Sequence, residues 1–263
     1  MTTAELAALL TPVRSGNAFE ETVERLLMAI KLGLVATGHR FPPERELADM
    51  LGVSRLTLRE AISALRQAGY VESRRGRQGG TFVTYTRPAP DPGEARRIAL
   101  DKPAELADAL TFRLVVETGA AQVLAQVMAT GCDERRRGVL QSRLADVNNA
   151  TPGDYRRLDT LFHLAIAELT GSCLLSAACT DARMRLNDLL NAIPVLQHNI
   201  VHTAQQHTAI TEAILAGDPE AARCAVAEHL DGTAALLRGF LATPQPSFHD
   251  HVGISVIATE KSS

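Results

Sequence analysis

Asp159 and His163 stand four residues apart, so on a helix they project from the same side. His207 shares a helical stripe with Thr203, Ile210 and Ile214, and His229 shares one with Val226, Thr233 and Leu236. The three imidazoles therefore face inward from three different helical segments, with a carboxylate beside them. Any one alone reads as a core histidine satisfied by a hydrogen bond. Together they look like a first-row divalent metal site, because imidazole suits Zn, Ni, Cu and Fe while the carboxylate adds an oxygen. The other histidines do not join this set. His198 and His202 read as surface residues, and His249 and His251 fall near the C-terminal end.

A second feature lies upstream. Leu106, Leu110, Arg113, Glu117, Ala120 and Leu124 step alternately by four and three residues, so an arginine and a glutamate interrupt one apolar face. Spacing alone leaves two readings open. Arg113 and Glu117 form a local pair at the rim, or Arg113 points into a cavity to hold a carboxylate or phosphate.

The elements that must position these residues are helices. From about 101 to 241 the pattern predicts helices near 103–130, 132–149, 153–170, 172–192, 199–216 and 218–241. Breaks fall at Gly131, Pro152-Gly153, Gly171-Ser172, Pro194 and Gly217-Asp218-Pro219. Helices with such short connections form an antiparallel bundle.

The N-terminal part has a different character. Pro43 suits the first turn of a helix, Glu44 and Glu46 favour its positive end, and Gly52 supplies a left-handed stop. Ser54 is a good N-cap for a second helix with the inward stripe Leu58, Ala61, Ile62 and Leu65. Arg55 and Arg59 lie on its outer side. Tyr70–Ser73 and Thr81–Thr84 then alternate like strands, separated by Arg74, Arg75, Arg77 and glycines, which fits a hairpin wing beside a phosphate backbone. Residues 37–87 hold nine basic and five acidic side chains, a local charge of +4 that leaves −7 for the rest of a chain of net charge −3. That split fits a nucleic-acid module tethered to an acidic one.

These residues, in this order over 18–84, resemble the winged helix-turn-helix of the GntR family of bacterial transcription regulators. The resemblance implies DNA contacts at Arg45, Arg55, Thr57 and Arg59 and, in the wing, at Gly76; Arg75 and Arg77 flank that glycine beside the backbone. Over the helical part, Arg113 with Glu117, Asp159 with His163, Gln206-His207 and Ala227-Glu228-His229-Leu230 look like the effector domain of the FadR branch, the FCD domain. There the resemblance implies a divalent metal (Zn, Ni or Mn class) on Asp159, His163, His207 and His229, with a small organic-acid effector near Arg113 and Glu117. One departure is that many relatives carry Gly-Asn where this chain has Gly171-Ser172.

The expected organisation is an arm over 1–17, a winged helix-turn-helix domain over 18–86, a linker over 87–100, a helical effector-binding and dimerisation domain over 101–241, and a tail over 242–263. The fold class is mainly α with a small β-hairpin. The linker is marked by Pro88, Pro90, Pro92 and Gly93. No stretch approaches the ~20 apolar residues of a membrane span, no signal peptide is evident, and the four cysteines lack CxxC spacing, all of which suits a cytoplasmic protein. The expectation is a homodimeric regulator, not an enzyme, that binds an inverted-repeat operator in double-stranded DNA and answers to ligand, with repression the commoner sense. A metal enzyme would need a further inward acid beyond Glu117 and would leave the winged helix unexplained. An architectural DNA binder with a purely structural metal is the other alternative.

Overall fold

The computed structural model describes residues 18–76, 79–86, 103–131, 133–192 and 197–242, together with Leu6, Leu10, Arg97 and Asp101. The expected arm, linker and tail, and with them Arg77, Cys132, His249 and His251, lie almost wholly outside these residues. Among the described residues are nine helices and one two-stranded sheet, so the chain is mainly α with a small hairpin.

The first unit comprises α1 (Ala18–Lys31), α2 (Glu44–Leu51), α3 (Arg55–Gln67), β1 (Val71–Arg74) and β2 (Gly80–Val83). Helix α2 ends because Gly52 adopts φ 66°, a left-handed conformation open to glycine at little cost. Pro43 sits one residue before α2, and its carbonyl accepts from the Leu47 N–H at 2.9 Å. Ser54 caps α3 by accepting from the Thr57 N–H at 3.0 Å. Leu47, Ala48 and Leu51 of α2, and Leu58, Ala61, Ile62 and Leu65 of α3, are buried. Helix α1 adds Leu26, Ala29 and Ile30 to the same core by packing on α3. The strands pair antiparallel with Val71 opposite Val83 and Arg74 opposite Gly80.

The second unit is a bundle of α4 (Pro103–Ala129), α5 (Glu134–Asn148), α6 (Tyr155–Leu169), α7 (Cys173–Ala192), α8 (Gln197–Leu215) and α9 (Pro219–Ala242). Helix α4 lies against α6, α7, α8 and α9 and is the axis of the bundle. Helix α5 begins at Glu134 because the Asp133 side chain accepts from the Arg136 N–H and caps it. On α9 the expected stripe drifts, since Leu237 is fully buried while Leu236 is 37 % exposed. None of the described helices is long and apolar enough to cross a membrane.

Among the described residues, the contacts between the units include two at the end of α1. Asn187 Nδ2 on α7 donates to the Lys31 carbonyl at the end of α1, at 3.4 Å. Gly33, at φ 74°, faces Arg157 of α6 so closely that a Cβ there would lie 2.8 Å from Arg157 Cγ.

Candidate functional site

Helix α4 brings Arg113 and Glu117 to the bundle interior, α6 brings Asp159 and His163, α8 brings His207 and α9 brings His229. All six are buried. One ligand atom from each of Asp159, His163, His207 and His229 lies within 4.8 Å of the others. Small side-chain adjustments suffice to close such a set around one ion, since Zn–N and Zn–O distances are ~2.0–2.2 Å.

Hydrogen bonds fix how the imidazoles present themselves. His163 Nδ1 is 2.9 Å from Glu117 Oε2, and an ionised carboxylate only accepts, so Nδ1 carries the proton and Nε2 keeps a lone pair. His229 Nδ1 lies 3.2 Å from Gln206 Oε1, which fixes the same tautomer there. The two Nε2 atoms face each other at 3.1 Å, both with lone pairs. His207 has no hydrogen-bond partner on either ring nitrogen among the described residues, and its Nε2 is 3.3 Å from Asp159 Oδ1. Buried nitrogens aimed at one another without protons repel, and a shared cation removes the repulsion. The donor set therefore fits a divalent metal.

Burial and the surrounding charges keep His163, His229 and Asp159 unprotonated. Burial, then the Arg183 charge, pulls the His163 pKa down to about 4, so this imidazole is neutral near pH 7. Burial, with His163 and His207 next in weight and Arg113 among the further causes, holds His229 well below its usual value. Burial on its own would raise Glu117 and Asp159. The guanidiniums of Arg113 and Arg183 reverse this for Glu117, and Arg183 foremost does so for Asp159, leaving both well below the usual carboxylate range.

Arg183 is the residue that the sequence reading missed. Fully buried on α7, it donates through Nε to Glu117 Oε1 at 2.7 Å, through Nη2 to Glu117 Oε2 at 3.0 Å and through Nη1 to Asp159 Oδ2 at 2.9 Å. Arg113 Nε also donates to Glu117 Oε1, at 3.0 Å. The Arg113–Glu117 pair thus lies in the interior rather than at the rim. Glu117 is fully engaged by protein groups, whereas Arg113 Nη1 is buried with no hydrogen-bond partner among the described residues. Of this pair, it is Arg113 that keeps an unused donor.

The other surface lies on α2, α3 and the hairpin. Arg45, Arg55, Arg59 and Arg75 are exposed, and Leu56 is 67 % exposed among them. Arg59 Nε donates to Glu44 Oε2 at 2.7 Å. Thr57 is half-buried, with its hydroxyl 2.8 Å from Ser54 Oγ, so it completes the cap of α3. Gly76 takes φ 102° in the turn after β1, and Arg40 steadies the hairpin by donating to the Gly79 carbonyl at 3.1 Å. His202 is exposed, and the side chain of His198 lies outside those described.

Comparison with known proteins agrees with this layout. Residues 19–83 match the family described as bacterial regulatory proteins, gntR family, and residues 108–232 match the FCD domain. RmpR of Mycobacterium gastri, named as an HTH-type transcriptional regulator, is 32% identical over 220 residues, covering 79% of this chain and 76% of its own. The HTH-type transcriptional repressor NanR of Citrobacter rodentium is 29% identical, covering 82% of each chain. The Glc operon transcriptional activator of Escherichia coli K12 is 28% identical, covering 80% of this chain and 84% of its own. Among solved structures, E. coli McbR/YncC shares the fold with a TM-score of 0.51 at 19% identity, over 84% of this chain and 97% of that one. The families and relatives are transcription regulators rather than enzymes. With a gntR-type helix-turn-helix unit followed by an FCD domain, the chain belongs to the GntR family of DNA-binding bacterial transcription regulators.

Proposed function

We propose that this regulator is a homodimeric repressor of the FadR branch, acting in the cytoplasm, whose operator affinity is set by a small organic acid. The acid binds where Arg113 meets a divalent ion held by Asp159, His163, His207 and His229. A winged helix-turn-helix domain over 18–86 connects through a linker, 87–100, to an effector-binding and dimerisation domain over 101–241. Arg45, Arg55, Thr57 and Arg59 meet the operator from α2 and α3, while Arg75, Gly76 and Arg77 lie along its backbone. Two such units related by a two-fold axis require an inverted repeat. The repressor sense follows NanR; the Glc operon activator marks the alternative.

The observation that carries this reading is the 3.1 Å approach of two imidazole Nε2 atoms whose Nδ1 atoms face Glu117 and Gln206. Nitrogen with one carboxylate suits the Zn, Ni or Mn class. A divalent ion with one carboxylate ligand retains a positive charge, and Arg113 adds one that deprotonation cannot remove. Such a cavity favours carboxylates and rejects neutral analogues, because a buried charge would be left unpaired. Glu117 holds His163 and Arg113 in position.

Elemental analysis of undialysed protein is expected to give about one divalent ion per chain. His163→Ala or His207→Ala loses it with a fall in melting temperature, because an ion tying three helices adds its binding energy to folding. Absence of metal even after reconstitution would return these histidines to the ordinary core.

A further inference from the structure

A groove of about 430 Å³ runs between the first half of α4 and the last turns of α9. Its walls are Leu106, Leu110 and Leu114 on one side and Leu230 and Ala234 on the other. At the level of the histidine cluster it is lined by Arg113, 2 % exposed and holding an unpartnered Nη1. Arg113 also donates through Nε to Glu117, whose other oxygen faces His163 Nδ1, so it links groove and cluster. At the outer part Asp231 and Arg238 are both exposed and offset each other, which gives a second anionic group no net attraction.

A buried guanidinium donor without a partner carries a desolvation cost that an incoming carboxylate relieves. The walls beyond it are mainly apolar and take hydrocarbon, and the Thr111 hydroxyl on the same groove already donates to the Ala107 carbonyl at 2.9 Å. We infer that the effector is a monocarboxylic acid with an apolar body, its carboxylate on Arg113 and its hydrocarbon laid along Leu106, Leu110 and Leu114. The volume lies within the usual range for small-molecule sites, ~300–1,000 Å³. This inference rests on the acid-effector reading of Arg113 and narrows it to one chemical class.

Calorimetric titration of the full-length, metal-loaded protein with propionate, butyrate, hexanoate and octanoate tests it, with lactate and succinate as polar acids and hexanol as a neutral control. The expected result is tightening by about fourfold per added CH₂ up to hexanoate, with hexanol silent. Ala107 lines the groove and is exposed, so Ala107→Phe narrows the groove without entering the core. It should flatten the dependence on chain length while leaving butyrate affinity near that of the parent. Tighter binding of lactate or succinate than of hexanoate would overturn the inference while leaving the acid-effector reading intact. So would a chain-length dependence unchanged by Ala107→Phe. Failure of every carboxylate to bind would overturn both.

Discussion

Glu117 accepts from Arg113, from two nitrogens of Arg183 and from His163, and none of these groups reaches bulk solvent. Removing one partner from a buried ionic network leaves the others uncompensated and costs ~3–5 kcal/mol. Arg183→Met is expected to lower stability by about that much, read as a lower urea midpoint, because Glu117 and Asp159 both lose a guanidinium. Arg113→Ala should cost less, since Glu117 keeps both bonds from Arg183. An Arg183→Met protein as stable as its parent would contradict this picture of the site. The Asp159–His163 spacing and the stripes of His207 and His229 were enough to bring the four donors together in sequence. Arg183 was legible by the same rule, as one cation among Ser176, Cys179, Leu186 and Leu190 on the buried face of α7. Its two carboxylate partners come from other helices, and no local spacing announces them. The engagement of Glu117 by protein groups was hidden for the same reason.

At the scale of elements, Gly52 ends α2 and Ser54 starts α3, and both were readable because capping and left-handed turns are local chemistry. Helix α1 was less legible. Its buried face begins at Thr22, whose hydroxyl donates to the Ala18 carbonyl at 2.5 Å, so the stripe opens on a polar residue. The Arg59–Glu44 pair has side chains 56% and 39% exposed, and pairs of that kind contribute ~0–1 kcal/mol, so separating Arg59 from Glu44 costs little. Arg59→Ala is expected to lose ~1–3 kcal/mol of sequence discrimination per half-site. Arg75→Ala in the hairpin should instead weaken binding to all sequences and flatten its salt dependence. Gel shifts on matched and scrambled duplexes separate the two outcomes, and undiminished discrimination by Arg59→Ala would remove α3 from the base-reading role.

For the whole molecule, an acid bound at the proposed site would have to act on the DNA-binding unit through the helices that hold the site. The helices holding the site also meet that unit. On α7, Asn187 lies one turn from Arg183 and reaches the Lys31 carbonyl of α1. On α6, Arg157 lies two residues before Asp159 and rests on Gly33. A ligand that shifts α6 or α7 relative to α4 therefore displaces two contacts at the end of α1. It changes operator affinity only so far as it prefers one arrangement over the other, typically by ~1–3 kcal/mol, or about 5–150-fold. The contacts between the units join residues more than a hundred positions apart and leave no mark in local pattern. The most direct test is operator affinity of the metal-loaded protein with and without a carboxylate that raises its melting temperature, using a duplex selected from a random pool. The parent is expected to weaken at least ~5-fold with acid, while Arg113→Ala binds the operator as the acid-free parent does and ignores the acid. An Arg113→Ala protein that responds as fully as the parent, or a parent whose operator affinity no stabilising acid alters, would contradict the central role given to this site.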